Sequence, residues 1–85
     1  MSKQHHYLKT DSEVWREVHG GRKTAEFRFN DRDFKLHDYL HLKESINGRE
    51  TGRVIGPLTI THILDNGYGM PEGYCMLSFQ GDLKD

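Results

Sequence analysis

The chain has 85 residues and a formal net charge of -1, with 34% hydrophobic and 29% charged residues. The length predicts a single domain over residues 1–85, with a core over about 6–79 and frayed termini. The near-neutral charge argues against a strongly basic domain that binds nucleic-acid backbone without specificity, and a lone cysteine, Cys75, excludes an internal disulfide framework.

The sequence carries no signal for secretion or membrane insertion. Its N-terminal residues are polar, which argues against a signal peptide. No apolar run approaches the ~20 residues that are needed to span a bilayer. Because a single cysteine also fits a reducing compartment, we expect a cytoplasmic protein that does not bind a membrane.

The N-terminal part of the chain predicts a strand and then a short helix. The strand is expected at residues 6–9. Thr10 and Glu13 have the spacing of a T-x-x-E capping box, which predicts a helix over about 11–19. Gly20-Gly21 supplies the positive φ that ends a helix. The apolar stripe of this helix consists of Val14, Trp15 and Val18.

The second strand is expected at residues 24–30 and has two different faces. Side chains alternate along a strand with a period of two. Thr24, Glu26 and Arg28 therefore share one face, with Lys23 just before them. The opposite face is expected to pack into the core, and it consists of Ala25, Phe27 and Phe29.

The rest of the chain predicts three more strands with turns between them. Asn30 to Asp33 is a turn cluster, after which Phe34 and Leu36 are expected to return to the core. Strands are expected at 39–44, 53–64 and 74–79, with a bulge in the second of these at Gly56-Pro57. Asn47-Gly48 is expected to form a hairpin turn, 65–73 a loop and 81–85 a frayed tail. One helix cannot cover both faces of an open five-stranded sheet, so closure into a small barrel is expected, which gives an α+β fold.

Five segments together resemble a known family. They are His6-Tyr7-Leu8-Lys9-Thr10, Gly21-Arg22-Lys23-Thr24-Ala25-Glu26-Phe27-Arg28, Asn30-Asp31-Arg32-Asp33-Phe34, Thr51-Gly52-Arg53 and Gly73-Tyr74. They look like the ASCH branch of the PUA-like superfamily, and more narrowly the short bacterial and phage proteins grouped as domain of unknown function 3850. The resemblance implies a small β-barrel with a helix beside it and a cleft that binds RNA or a nucleotide-like ligand.

Some ASCH proteins are enzymes, and the resemblance allows their residues to be compared with this chain. One bacterial group hydrolyses the acetyl amide of N4-acetylcytidine, and ribonuclease activity has been described for others. The lysine of the hydrolytic group corresponds to Lys23, but its nucleophilic threonine falls on Glu26. Thr24 would face the same side, and Glu72 is a candidate for the downstream glutamate. The glutamate at position 26 argues against acetylcytidine hydrolysis.

The charged residues also suggest a ligand site without reference to any family. Lys9 and Lys23 flank the predicted helix, so both ammoniums and Arg28 are expected to converge near Glu26 and hold it ionised. Such a cluster suits a phosphate or a polar base. The alternative is an internal ion-pair network that only holds the helix to the barrel. The candidate ligand-binding residues are His6, Lys9, Thr10, Lys23, Thr24, Glu26, Arg28, Arg32 and Arg53.

Three of these candidates, and also Tyr68 in the glycine-rich loop, have a simpler interpretation as well. Arg32 either lies on the rim of the cleft or belongs to a turn whose Asx side chains bond their own backbone. Arg53 contacts nucleic-acid backbone or lies on a solvated face. His6 contacts the cleft, acts as an acid or base, or makes a structural hydrogen bond. Tyr68 either stacks on a base or is a plain surface aromatic.

Three functions remain open at this stage. The six scattered histidines have no metal-ligand spacing, so no metal or cofactor is expected. We expect a monomeric binding module for RNA or a nucleotide-like ligand. The second hypothesis is a small hydrolase of a modified nucleoside or RNA, in which Lys23 polarises the substrate and Glu26 is the general base. The third is a structural or protein-interaction protein of phage or mobile-element origin.

Overall fold

The computed structural model describes residues 3–65 and 67–81. The predicted one helix and five strands are confirmed, and their bounds are β1 His5–Asp11, α1 Ser12–His19, β2 Ala25–Phe29, β3 Tyr39–Ile46, β4 Arg49–Asp65 and β5 Tyr74–Gly81. The tail predicted at 81–85 is wrong at Gly81, which ends β5, and residues 82–85 of it lie outside the described part of the chain. The same holds for the first two residues and for position 66 in the predicted loop.

The five strands form one mixed sheet in the order β1-β3-β4-β5-β2. β1 runs parallel to β3, and the other three neighbouring pairs are antiparallel. Within the described residues, no backbone hydrogen bonding pairs the two edge strands, β1 and β2. The hydrogen-bonded sheet is therefore not closed into a barrel. A side chain links these strands instead: Nη2 of Arg28 on β2 donates a hydrogen bond of 3.1 Å to the carbonyl of Lys9 on β1.

The middle of the sheet follows the sequence prediction. Asn47 and Gly48, with φ of 51° and 81°, form the two-residue turn between β3 and β4, because a tight hairpin of this kind needs a positive φ at both positions. The predicted bulge at Gly56-Pro57 is also confirmed. The pairing with β3 shifts between Leu58 and Ile55, so β4 bends at this point.

The core lies between the helix and the inner face of the sheet. Trp15 is buried, as predicted, and its Nε1 donates a hydrogen bond of 2.9 Å to the carbonyl of Leu42 on β3. Phe34 is also buried, but the prediction for Leu36 is wrong, since that side chain is 51% exposed. The chain makes a turn here, in which Asp38 N–H bonds the carbonyl of Lys35, and the turn points Leu36 outward.

The predicted faces of β2 are reversed in the structure. Residues that lie directly opposite each other on paired strands share a face of the sheet. Glu26 lies opposite Leu77 of β5, which is fully buried, so Glu26 lies on the inner face. Phe27 and Phe29 are 48% and 52% exposed; on the outside, Phe27 stacks on Tyr74 and Phe29 meets the same ring edge-on. The polar face of β2 therefore lies against the core.

The start of the helix also differs from the prediction. Thr10 belongs to β1 and is buried, and the first helical residue is Ser12, with no side-chain cap at Asp11. The capping box is therefore wrong, because the extended backbone of β1 continues through Thr10. The predicted helix end is confirmed, with Gly21 at φ +80° just beyond it. The helix in the described part of the chain is too short to cross a membrane.

Candidate functional site

A cleft of about 400 Å³ lies between the C-terminal end of α1 and the sheet. Three parts of the chain form its walls: the segment from the helix to β2, the bend of β4, and the end of β5. Its lining residues are Val18, His19, Gly21, Lys23, Thr24, Ile55, Gly56, Pro57, Leu58, Phe79, Gln80 and Gly81. Most of the wall is apolar, and its polar lining residues are His19, Lys23, Thr24 and Gln80. Small-molecule sites in proteins have this size and character.

Backbone hydrogen bonds fix Lys23 and Thr24 at this position. The N–H of Lys23 donates to the carbonyl of Glu17, 3.1 Å away, in the last turn of the helix. The carbonyl of Thr24 accepts a hydrogen bond of 3.0 Å from the N–H of Phe79 on β5. The segment is thus held to the helix on one side and to the sheet on the other, and both predicted site residues line the cleft.

Glu26 lies two residues beyond Thr24, on β2, and is buried; it does not line the cleft. Its Oε2 is 3.5 Å from Nε of Arg28, and its Oε1 is buried without a hydrogen-bond partner. Burial raises the pKa of Glu26 above its usual value, although the nearby charges of Arg28 and Lys23 act to lower it. Desolvation therefore has a larger effect on the pKa of this carboxyl group than the two nearby cations have.

Arg28 connects this carboxylate to the first strand. Its guanidinium lies beside Glu26 and also donates to the carbonyl of Lys9. The neighbouring residue on β1, Thr10, points inward, and its Oγ1 is buried without a hydrogen-bond partner. Two buried polar atoms without a partner, on Glu26 and Thr10, therefore lie on the inner face of the two outer strands.

The ammonium of Lys9 does not join this group. Residues of β1 alternate between exposed and buried, and because Thr10 points inward, Lys9 points outward. Its Nζ donates a hydrogen bond of 3.2 Å to the carbonyl of Gly48 in the β3–β4 turn. The expected convergence of both lysine ammoniums is therefore wrong, and Lys9 contributes only its backbone carbonyl.

Arg53 lies in a separate cluster around a buried carboxylate. Its Nε and Nη2 donate to the two oxygens of Glu44 at 2.9 and 3.1 Å, and its guanidinium lies 4.7 Å from the ring of Trp15. Ser12 and Thr51 also donate to Glu44, each at 2.7 Å. These hydrogen bonds, first of all the one from Arg53, lower the pKa of Glu44 to about 2. The guanidinium of Arg53 is already bound within the fold.

His6 is buried and makes the structural hydrogen bond considered above. Its Nε2 lies 2.8 Å from Oδ2 of Asp38. Burial acts to raise the pKa of Asp38, but hydrogen bonds from His6 and from the N–H groups of Gln4 and Lys35 outweigh it, so the pKa lies below its usual value. The pair fixes β1 to the segment before β3.

Three further candidates lie outside the cleft. Arg32 is exposed, with its Nε 3.9 Å from Asp31. The turn interpretation of this segment is supported, since Oδ1 of Asn30 accepts a hydrogen bond from the N–H of Phe34. Tyr68 is 81% exposed in the loop before β5, and Glu72 is exposed in the same loop. None of these side chains lines the cleft.

The sequence analysis did not identify one residue of the cleft, His19, or the two buried acids, Asp38 and Glu44. His19 lines the cleft and stacks on Trp15, with ring centroids 5.1 Å apart. The signal for this was available, because the two residues are four apart on a predicted helix and therefore share a face. Asp38 and Glu44 gave no local signal, since their partners are far away in sequence. Among residues 3–65 and 67–81, no three His, Cys, Asp or Glu side chains come together as metal ligands.

A comparison with models of protein families places this chain in a family. The model of a family described as "Domain of unknown function (DUF3850)" matches residues 5–79, which include every element of the fold except the last two residues of β5. No curated protein matches the chain.

Proposed function

We propose that this chain, which belongs to the DUF3850 family, is a binding module that holds a nucleotide-like ligand or a nucleotide of RNA in the cleft beside α1. The observation that carries the proposal is the position of Lys23 and Thr24. They line a cleft of about 400 Å³. Glu26 does not line it, but its buried carboxylate keeps one oxygen without a partner and lies close enough to Lys23 for the charge of that lysine to act on its pKa. A cation, a hydroxyl and a carboxylate within four consecutive residues supply both donors and acceptors.

The apolar residues of the cleft suit a base, and its polar residues suit the rest of a nucleotide. Ile55 and Phe79 offer apolar surface to a flat ring, and His19 and Lys23 are polar residues of the lining. A lysine binds phosphate as a point charge. In this arrangement the base lies between the apolar walls, and the phosphate lies near Lys23.

Glu26 supports a ligand function more than a purely structural one. A carboxylate that served only to hold the fold together would have its hydrogen bonds satisfied and its pKa lowered, as Glu44 does. Glu26 instead has an unpartnered oxygen and a raised pKa. Residues with this combination of burial and charge are concentrated at functional sites.

We also propose that the chain is an ASCH member of the PUA-like superfamily. Its sheet would then correspond to the small β-barrel of the ASCH proteins. The hydrogen bond from Arg28 to the carbonyl of Lys9 supports this, because it brings the two outer strands within the reach of one side chain. A side-chain link between outer strands is the arrangement expected of a sheet that curves toward closure.

A titration followed by NMR tests the binding function. Amide shifts of the labelled protein are recorded with mononucleotides, nucleosides and short RNAs. We expect shifts at Lys23, Thr24 and Glu26, and their loss in Lys23→Ala. The matched control is Lys35→Ala, since this exposed lysine pairs only with Asp33 at the surface. If millimolar ligand moves none of the three amides, the proposal is wrong, and a structural role for the charged face is favoured.

The raised pKa of Glu26 also favours a second candidate, a hydrolase of a modified nucleoside. A base with a pKa nearer neutrality is a better proton acceptor. Water would attack the acyl carbon, Glu26 would take the proton of that water, and the amine would leave with this proton as the C–N bond breaks. Turnover of acetylated cytidines and of RNA, compared between wild type and Glu26→Gln, distinguishes this candidate from simple binding.

A further inference from the structure

Four rings form a continuous stack on the outer face of β1 and β3. Tyr7 stacks on His41 with ring centroids 4.4 Å apart, His41 stacks on His5 at 5.0 Å, and His5 stacks on Tyr39 at 4.7 Å. Nδ1 of His5 and Nε2 of His41 are also 2.8 Å apart. We call these four rings the ring stack. It follows from the register, which pairs His5 with Tyr39 and Tyr7 with His41.

The ring stack faces away from the core. The buried residues of β1 alternate with those that carry the rings, and Tyr7 is 50% exposed. The helix packs on the other face, where Trp15 bonds the backbone of β3. The outer face of these two strands therefore presents aromatic and imidazole rings where charged side chains would be the usual choice.

Lysines flank the ring stack at both ends. Lys9 and Lys43 are paired in the row that follows Tyr7 and His41, and Nζ of Lys3 lies 5.8 Å from the ring centroid of Tyr39. Some of this charge is balanced, since Lys43 pairs with Glu50 at 3.3 Å. Rings bordered by cations form the surface that single-stranded nucleic acid prefers, with bases on the rings and phosphates on the lysines.

A second cavity joins the ring stack to the cleft. It has a volume of about 500 Å³ and is lined by Tyr39, Pro57, Thr59, Thr61, Gln80 and Gly81. Pro57, Gln80 and Gly81 also line the cleft, so the two cavities meet at the bend of β4. Tyr39, the last ring of the stack, forms one wall of the second cavity. A chain of nucleotides that extends from the cleft onto Tyr39 has to cross the residues that the two cavities share.

We infer that the ring stack and the second cavity bind the nucleotides next to the one in the cleft, and that the ligand is a single-stranded oligonucleotide. This inference rests on the proposed function of the cleft. Each base has a flat face, so an exposed ring accepts any base and requires no particular sequence. A base in the second cavity extends the stack at Tyr39, and Lys3 and Lys9 lie within reach of the phosphates.

The affinity of oligonucleotides for wild type and variants tests the inference. Fluorescence anisotropy is measured with labelled single strands of about eight nucleotides, within the usual range for one small binding domain, in RNA and DNA form. Binding of a mononucleotide is followed separately by the NMR shifts of Lys23 and Thr24. The variants are Tyr39→Ala and Tyr7→Ala, with Tyr39→Leu in reserve, since leucine keeps apolar bulk if alanine prevents folding. Phe27→Ala is the control, an exposed aromatic residue of β2.

We expect the oligonucleotide to bind wild type more tightly than the mononucleotide, and Tyr39→Ala to weaken it about tenfold or more, since one stacked base contributes about 1–3 kcal/mol. The shifts caused by the mononucleotide stay the same in Tyr39→Ala. Equal affinities for the mononucleotide and the oligonucleotide overturn the inference and leave the cleft proposal standing. Oligonucleotide binding that depends on Tyr39, without mononucleotide shifts at Lys23, shows that the rings bind nucleic acid by themselves; it overturns the cleft proposal and, with it, the inference that the rings extend the cleft. If no oligonucleotide of either kind binds, the inference is wrong, and a protein partner for this face is favoured.

Discussion

Arg53 holds the carboxylate of Glu44 by two hydrogen bonds, and at the same time its guanidinium lies over the ring of Trp15. Glu44 is on β3, Arg53 is on β4, and Trp15 is on α1. One side chain therefore ties the helix to two strands. The carboxylate at the centre of this contact is 1% exposed and accepts from four donor groups, so it is fully satisfied.

The pKa of Glu44 predicts acid sensitivity. In the folded protein this pKa is lowered to about 2, while the ordinary value of a glutamate is about 4.3. The charged form is thus favoured by folding. Its contribution to stability is complete above the ordinary value and is lost as the pH falls toward the folded value. We expect Glu44→Gln to lower the melting temperature at neutral pH and to flatten its decrease between these pH values. Exposed Glu72→Gln is the control, and an unchanged pH profile in Glu44→Gln contradicts this account.

The raised pKa of Glu26 predicts a dependence of stability on pH that is opposite to that of Glu44. Because its folded pKa is raised, the ionised carboxylate destabilises the folded state above the ordinary pKa of about 4.3, and the cost disappears at lower pH. We expect Glu26→Gln to raise the free energy of unfolding at pH 7, because it removes the desolvated charge, with no gain at acid pH. Urea denaturation at both pH values measures this. A loss of stability at pH 7 shows that Glu26 belongs to a structural ion-pair network.

The link between Arg28 and Lys9 predicts a local effect. Arg28→Met keeps a side chain with an apolar stem of similar length but removes the guanidinium, which donates to the carbonyl of Lys9 on β1. We expect a loss of about 1 kcal/mol and faster amide hydrogen exchange in β2, with the β3–β4 ladder unchanged. Arg49→Met is the control, because Arg49 is exposed on β4. Uniformly faster exchange in all strands argues against a local link.

The bend of β4 predicts a strong effect at Gly56. This residue has φ +155°, and an added Cβ would lie 2.7 Å from Nδ1 of His41 and 2.9 Å from the carbonyl oxygen of Leu40. We expect Gly56→Ala to cost about 2–3 kcal/mol in unfolding free energy. Gly48→Ala is the matched control, since Gly48 also has a positive φ but no atom near the added Cβ, and it should cost about 1 kcal/mol. Equal losses in the two variants show that crowding at the bend has no effect.

Features that depend on neighbouring residues were predictable from the sequence. The Asn47-Gly48 turn, the end of the helix at Gly21 and the bulge at Pro57 all follow from local backbone preferences. The position of Lys23 and Thr24 beside the helix follows from the short segment that connects α1 to β2. These two residues are the predicted candidates that the structure places in the wall of the cleft.

Features that depend on the pairing of distant segments were not predictable in the same way. The alternation in β2 gave two faces but did not show which one is buried. That choice is made by β5, about 50 residues later in the chain, through the pairing of Glu26 with Leu77. Aromatic residues were assigned to the core because they are usually buried. The same limit explains the outward direction of Lys9 and the missed partners of Glu44.

The sheet order has a consequence for the way this molecule forms during synthesis. β3, β4 and β5 are consecutive antiparallel strands, whereas in the part of the chain that the structure describes β1 pairs only with β3, and β2 only with β5. Pairing of distant segments is slow, because a long loop has to close first. The first two strands therefore stay without their partners until later strands leave the ribosome. A chain that stops before Tyr74 contains every candidate ligand-binding residue from His6 to Arg53, yet it lacks Phe79, Gln80 and Gly81 and has no complete cleft.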